Sequence, residues 1–171
     1  MGQWIRYFAY GSNMLAARLR ARTPSCRWVG VAQLPRHVLR FHQVSATDGS
    51  AKCNIIPTAS SDDVVYGVVY DIRRSERARL DAAEDLGGGY RIAELCVRMG
   101  RHGEGVFCYV AADDRVNDRL RPFAWYRDIV LAGARVHGFP DSYVKAIAAE
   151  AAVADPDEVR HAYHMRLLGR Y

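Results

Sequence analysis

A loop of Gly11-Ser12-Asn13, between a strand-like and a helix-like segment, is the first place in this sequence where chemistry could occur. Glycine permits a sharp turn there, and the first backbone N–H groups of a helix have no acceptor within the helix. Together with the helix dipole, such groups can hold an anion. The alternative is an ordinary tight turn before a helix that Asn13 caps. The loop matches neither the Walker A nor the Gly-x-Gly-x-x-Gly pattern, so it does not indicate nucleotide binding.

The second candidate is an acidic helix end that contains Asp81, Glu84 and Asp85 and precedes the run Gly87-Gly88-Gly89. At these spacings the three carboxylates would share one helical face. A carboxylate that is crowded in this way and turned towards a pocket can serve as a general base. The glycine run would form the bend that lets Glu84 face such a pocket. The alternative is a solvated acidic helix end.

Histidines and cysteines do not predict a metal site. His161 and His164 would share a helical face, but no further ligand lies nearby, so surface histidines are the favoured interpretation. The four cysteines include no Cys-x-x-Cys pair and are expected to be reduced thiols. Cys96 and Cys108 flank a predicted turn at 101–103, and the sequence leaves open whether they meet across it.

The composition is basic and skewed towards arginine. The formal net charge is +5, and Lys52 and Lys145 are the only lysines among 24 basic residues. Such a skew is compatible with nucleic-acid binding, an acidic ligand or an arginine-biased genome. The clustered arginines alternate with apolar residues or neighbour acids, so we interpret them as solvated helix faces rather than a phosphate-binding stripe; one such cluster is Arg18, Arg20 and Arg22.

Short strands with inserted and appended helices, without a βαβ rhythm, favour an α+β fold with a small, mostly antiparallel, barrel-like sheet and flanking helices. The predicted strands are Trp4–Ala9, Trp28–Gln33, His37–Val44, Cys53–Ile56, Val64–Ile72, Tyr90–Met99 and Gly105–Ala111. The predicted helices are Met14–Arg22 after an Asn13 cap, Glu76–Asp85 after a Ser75 cap, Pro122–His137, Ser142–Val153 and Asp157–Leu168. Residues 1–171 are expected to form one domain with a C-terminal helical extension at about 156–171.

The sequence also predicts a location. Its first residues lack the charged and apolar regions of an export signal, and no stretch reaches the ~18 apolar residues of a membrane helix. We therefore expect a cytoplasmic protein that does not contact membranes.

Several segments, taken in order, resemble the γ-glutamylcyclotransferase family. The opening motif is Tyr7-Phe-Ala-Tyr-Gly-Ser-Asn-Met14, in which the family usually has Leu at the last position. Val65–Tyr70 is similar to a central strand of the family, and Leu80–Glu84 to the helix that carries its catalytic glutamate. The later matches are Tyr90, Phe107–Val110, Tyr126 and the helix that runs to Pro140. The likeness spans about residues 5–148, and the helix after Pro156 departs from it.

The resemblance implies a barrel-like fold and cleavage of a γ-glutamyl amide into 5-oxoproline and a free amine or amino acid. The α-amine of the substrate attacks its own γ-carbonyl, so no metal or cofactor is expected. The resemblance assigns proton transfer to Glu84 and binding of the glutamyl part to the loop, through either its α-carboxylate or the developing oxyanion. It assigns hydroxyl groups and pocket walls to tyrosines, so that the expected binding residues are Tyr10, Gly11, Ser12, Asn13, Met14, Tyr90 and Tyr126.

Two other functions remain open at this point. One is a tailoring enzyme that removes a γ-glutamyl protecting group from a biosynthetic intermediate, and the other is a non-catalytic binding module of the same fold. The expected partner is a small γ-glutamyl substrate rather than nucleic acid or a membrane. The leaving group and the oligomeric state, including a homodimer, are not determined by the sequence.

Overall fold

The computed structural model describes residues 3–169, and its centre is a closed five-stranded β-barrel. The barrel order is β1-β5-β2-β6-β7, with antiparallel neighbours except for the parallel pair β1 and β7 that closes it. Strands β3 and β4 form a separate antiparallel pair. This arrangement confirms the predicted α+β class and barrel-like sheet. The strands β1 to β7 are Trp4–Ala9, Arg27–Pro35, His37–Val44, Ala51–Pro57, Val64–Arg73, Tyr90–Met99 and His102–Ala111.

Strand β5 shows why these sequences form a barrel. Its residues Val68, Val69 and Tyr70 are consecutive and all buried, so both faces of the strand are covered. One face lies inside the barrel and the other under helices and loops, which explains a continuous apolar run instead of alternation. Gly67 lies in the same strand where Phe8 and the Ala9 carbonyl of β1 cross closely.

The β6–β7 hairpin turns earlier than predicted. Met99 pairs with His102, so the turn consists of Gly100 and Arg101, and Gly100 has the positive φ of 60° that such a tight turn requires. The predicted turn at 101–103 is therefore wrong. Cys96 pairs with Gly105, whereas Cys108 pairs with Ala93, and the first thiol is exposed while the second is buried. The two cysteines therefore face opposite sides of the sheet.

Five helices flank the barrel. Helix α3 lies directly on the turn that follows β1, where Gly133 leaves room for the Met14 side chain and backbone. The Met14 carbonyl accepts hydrogen bonds from the Tyr70 hydroxyl at 2.9 Å and from His137 Nε2 at 3.0 Å. These contacts fix the end of the Gly11–Asn13 loop against the barrel. The helices α1 to α5 are Ala16–Arg22, Arg77–Ala83, Ala124–Val136, Asp141–Ala149 and Glu158–Leu168.

Two predicted N-caps are wrong. Asn13 lies inside a 3-10 turn, Ser12–Met14, and α1 begins only at Ala16 after an extended Leu15. Ser75 likewise lies inside a 3-10 turn, Arg74–Glu76, and makes no side-chain cap to α2. In the first case the Asn13 side chain is used in long-range contacts, described below.

The last helix is attached through Asp155. Its carboxylate accepts hydrogen bonds from Trp125 Nε1 at 2.7 Å and from Arg160 Nε at 2.7 Å, and its side chain has no exposed surface. Asp157 caps α5 by accepting from the Arg160 backbone N–H at 2.9 Å. The final two residues of the predicted extension, 170–171, lie outside the described residues. Within residues 3–169, every helix is too short or too polar to cross a bilayer.

Gly67→Ala should destabilise the barrel, because the added Cβ would lie 2.5 Å from Phe8 Cζ and 2.6 Å from the Ala9 carbonyl oxygen. We expect urea unfolding to show a loss of about 1–3 kcal/mol in the free energy of unfolding. Gly105→Ala in β7 is the matched control, since its Cβ would meet open space. Equal stability of the two variants would contradict this packing.

The attachment of α5 should weaken in acid. Hydrogen bonds from Arg160, then those from Asp157 and Trp125, hold the pKa of Asp155 well below its usual range despite its burial. A carboxyl with a lowered folded-state pKa stabilises the fold above its unfolded pKa of about 3.9, and this contribution is lost as pH falls towards the folded value. The stability difference between the native chain and Asp155→Asn should therefore be largest near neutrality and shrink in acid. A difference independent of pH, or equal to that of the exposed-site control Asp62→Asn, would oppose this account.

Candidate active site

Two adjoining cavities open at one end of the barrel, where the loop after β1, the end of α2 and the start of α3 meet. The inner cavity measures about 30 Å³ and the outer about 240 Å³. Both are lined by Ser12, Glu84, Tyr90 and Tyr126, so the two form one continuous site. The inner cavity is completed by Tyr7, Tyr10, Gly11, Asn13, Cys53 and Tyr109.

Glu84 lies at the boundary between the cavities and is the C-cap residue that directly follows α2. One of its carboxylate oxygens accepts a hydrogen bond from Asn13 Nδ2 at 2.8 Å and forms an ion pair with Arg22 Nη1. Among the described residues, none donates a hydrogen bond to its second oxygen. The Glu84 side chain is 16% exposed, so the carboxylate is shielded but reachable from the cavities.

Asn13 joins three parts of the site. Its Nδ2 donates both to Glu84 and to the Tyr7 hydroxyl, the latter at 2.9 Å, and its Oδ1 accepts from Arg22 Nη1 at 2.9 Å. An asparagine can do this because its side chain is at once donor and acceptor. This network replaces the capping role that the sequence predicts for Asn13.

The other two acidic residues of the predicted cluster do not line the inner cavity, although Asp85 lines the outer one. Asp81 accepts hydrogen bonds from Arg77 Nε at 2.9 Å and from the Tyr109 hydroxyl at 2.5 Å. Asp85 lies beyond the end of the helix, with a positive φ of 50°, and is exposed. The predicted face of three carboxylates is therefore wrong, because α2 ends at Ala83.

The glycine run after Glu84 forms a compact turn. Gly87 has a positive φ of 86°, and the Gly88 and Gly89 N–H groups both donate to the Asp85 carbonyl. A Cβ on Gly88 would collide with the Asp85 carboxylate at 2.5 Å. The run thus reverses the chain immediately after Glu84 and leads into β6.

The buried tyrosines of the inner cavity keep their hydroxyl protons and do not act as bases near neutral pH. Burial raises the pKa of Tyr7, Tyr10, Tyr90 and Tyr126 well above the ordinary value. Burial also raises the pKa of the Cys53 thiol to about 12. These groups hold their protons near neutral pH, and Glu84 is the only carboxylate among the described residues that line the inner cavity.

Most of these hydroxyls have fixed partners. Tyr90 donates to the Cys53 carbonyl at 2.7 Å, and Tyr126 accepts from the Cys53 N–H at 3.1 Å. Tyr10 donates to the Tyr109 carbonyl. Gly11 passes beneath this cluster, and a Cβ there would come within 3.1 Å of Cys53 Cβ and 3.3 Å of the Tyr126 hydroxyl. Glycine therefore keeps the floor of the inner cavity open.

Six of the seven binding residues expected from the sequence come together with Glu84 around the inner cavity. The exception is Met14, which is fully buried against α3 and lines neither cavity. The remaining six are Tyr10, Gly11, Ser12, Asn13, Tyr90 and Tyr126.

The sequence interpretation of the α1 arginines is wrong at two of three positions. Arg20 is exposed as expected, but Arg22 binds Glu84 and Arg18 lines the outer cavity. His164, interpreted as a surface residue, stacks on Trp125 with ring centroids 3.7 Å apart. These roles depend on elements far away in the chain, so spacing within one helix could not show them.

Comparison with known proteins shows the family of this chain. The family model described as AIG2-like family matches residues 64–147. The γ-glutamylcyclotransferase of Mus musculus is 30% identical over 153 residues, covering 86% of this chain and 79% of that protein. The chain belongs to the γ-glutamylcyclotransferase family. The γ-glutamylcyclotransferase of Homo sapiens is also 30% identical, over 148 residues that cover 84% of this chain and 77% of that protein.

The fold agrees with this family. A solved structure titled γ-glutamyl cyclotransferase superposes with a TM-score of 0.80 at 25% identity, covering 93% of this chain and 97% of that one. The resemblance to the γ-glutamylcyclotransferase family that the ordered sequence motifs indicate is therefore confirmed. Because 93% of this chain superposes on that structure, the shared fold includes most of the helical C-terminal third of the chain.

The Arg22–Glu84 pair should be energetically coupled. A double-mutant cycle with Arg22→Met and Glu84→Gln is expected to give a coupling of about 1–3 kcal/mol in the free energy of unfolding, because both side chains are largely buried and share Asn13. The control pair Arg6–Asp71 is 3.4 Å apart with side chains 38% and 31% exposed, and should couple by less than about 1 kcal/mol. Additivity at the Arg22–Glu84 pair would rule out the contact.

Proposed function

We propose that this chain is a γ-glutamylcyclotransferase that converts a γ-glutamyl amide into 5-oxoproline and a free amine or amino acid. Membership of the family supports the reaction, since the relatives carry that name. The observation that carries the proposal is the position of Glu84, a carboxylate with one oxygen held by Asn13 and Arg22, at the boundary of a small inner cavity and a larger outer one.

The reaction needs binding and proton transfer. The α-amine of the substrate attacks the γ-carbonyl carbon to form a five-membered lactam, and the bond from that carbon to the leaving nitrogen breaks. Because the nucleophile belongs to the substrate, correct folding of the glutamyl chain supplies much of the rate acceleration, with effective molarities of ~10⁵–10⁸ M for well-placed groups. The α-ammonium of the substrate first releases one proton to solvent. The attacking amine then loses a second proton as the lactam forms, and the leaving nitrogen gains one.

Glu84 is assigned both proton transfers. Arg22 and Asn13 hold one of its oxygens, which fixes the carboxylate plane and leaves the second oxygen for the substrate. That oxygen accepts a proton from the attacking nitrogen and then donates it to the leaving nitrogen. The hydroxyls and thiol of the inner cavity do not compete for this role, because burial raises their pKa values.

The glutamyl part is assigned to the junction of the two cavities with its polar groups directed into the inner one, because about 30 Å³ is too little for the whole glutamyl chain. Its polar groups would meet the Gly11–Asn13 loop, whose first N–H groups lack acceptors within the short turn, and a wall formed by Tyr10, Tyr90 and Tyr126. The loop N–H groups suit either the α-carboxylate or the oxyanion that develops on the γ-carbonyl oxygen. The leaving amine then departs through the outer cavity.

Glu84→Gln should abolish turnover while preserving the fold. Glutamine keeps the size and the hydrogen-bond acceptor for Asn13 but cannot shuttle a proton. We expect 5-oxoproline release from a γ-glutamyl dipeptide to fall by about 10²–10⁴-fold.

The matched control is Glu94→Gln, an exposed carboxylate on β6 that should leave activity unchanged. A Glu84→Gln protein with near-native activity would contradict the assignment. Absence of 5-oxoproline from every γ-glutamyl substrate with the native protein would contradict the function itself.

A further inference from the structure

The outer cavity is lined by one arginine that forms no ion pair with any residue in the described range 3–169. Arg22, Lys52 and Arg160 line this cavity and are paired with Glu84, Asp48 and Asp155, respectively. Arg18 also lines it, and no carboxylate among residues 3–169 forms an ion pair with Arg18. A shielded cation without an anion is costly, so its presence points to an anionic ligand.

Arg18 is held in a fixed orientation. Its Nε donates to Ser12 Oγ at 3.0 Å and its Nη1 to His164 Nδ1 at 3.1 Å, while its guanidinium carbon lies 5.9 Å from the centre of the Trp125 ring. No described residue accepts a hydrogen bond from Nη2. The edge formed by Nη1 and Nη2 therefore still has donors for a planar carboxylate.

His164 of α5 is built to orient this arginine. Its ring stacks on Trp125, 12° from parallel, and its Nδ1 can accept from Arg18 only while it is unprotonated. Burial, followed by the charge of Arg18, lowers the pKa of His164 to about 4, so the ring is neutral at physiological pH. Burial and the charge of Arg22 lower the pKa of Arg18 to about 10, which still leaves it cationic there.

The position of Arg18 indicates which carboxylate it meets. Ser12, its partner, lines both cavities, but Arg18 itself lines only the outer one. If the polar groups of the glutamyl part point into the inner cavity, the group that reaches Arg18 belongs to the leaving side of the scissile amide.

We propose that Arg18, positioned by His164, is the specificity-determining residue that binds a carboxylate on the leaving group and so selects γ-glutamyl amino acids over γ-glutamyl amines. This inference rests on the proposed function. It assigns to α5 a part in substrate selection, because His164 belongs to that helix.

The test compares γ-glutamyl-alanine with γ-glutamyl-ethylamine, which differ only in the leaving-group carboxylate. The native protein should prefer the alanine substrate in kcat/KM. Arg18→Met should raise the KM for the alanine substrate by about 10–100-fold, as expected for loss of a charge-assisted hydrogen bond, and change the ethylamine substrate by less than about threefold. Turnover of the amine also shows that the variant folds. The control Arg20→Met, on the exposed side of α1, should alter neither substrate.

Two variants of His164 test separately whether this residue positions Arg18. His164→Phe retains the stack on Trp125 but not the acceptor, and should raise the KM for the alanine substrate alone by about 3–10-fold with kcat unchanged. His164→Gln, whose amide oxygen can accept from Arg18, should restore much of the preference.

Equal losses on both substrates in Arg18→Met, or a preference that survives it, would overturn the inference alone. Failure of the native protein to release 5-oxoproline from either substrate would overturn the proposed function as well.

Discussion

One carboxylate oxygen of Glu84 is shared by Asn13 and Arg22, and the site depends on this contact. It joins the loop after β1 and the last turn of α1 to the end of α2, which lies 62 positions beyond Arg22 in the chain. Without it, the loop would have no fixed relation to the acidic residue. With it, one oxygen is immobilised while no described residue donates to the other, which is the arrangement that a two-way proton carrier needs.

The barrel holds these segments at the required distances. Tyr7 of β1 receives a hydrogen bond from Asn13, and Tyr70 of β5 binds the Met14 carbonyl. Met14 therefore follows the loop as a packing residue, which explains how a position of the sequence motif can be essential to the site without lining it. The strands form the rigid scaffold, and the loops that join them to the helices hold the residues of the site.

Local patterns were sufficient for much of the fold. The sequence predicts the bounds of β1 and β3 as observed, and the apolar run of β5 reflects burial on both faces. It fails where a long-range contact competes with a local one. Asn13 is a good N-cap by type, but its side chain binds Glu84, 71 positions away, so the helix starts later. The sequence predicts that Arg18 belongs to a solvated helix face, whereas in the structure it contacts His164, 146 positions away.

The most direct test of the central claim is a crystal structure of the protein with 5-oxoproline bound. The account predicts the lactam ring at the junction of the two cavities, with its nitrogen within about 3.2 Å of the Glu84 oxygen that Arg22 does not hold. A lactam bound elsewhere, or turned so that Glu84 cannot reach its nitrogen, would contradict the assignment of proton transfer to this residue.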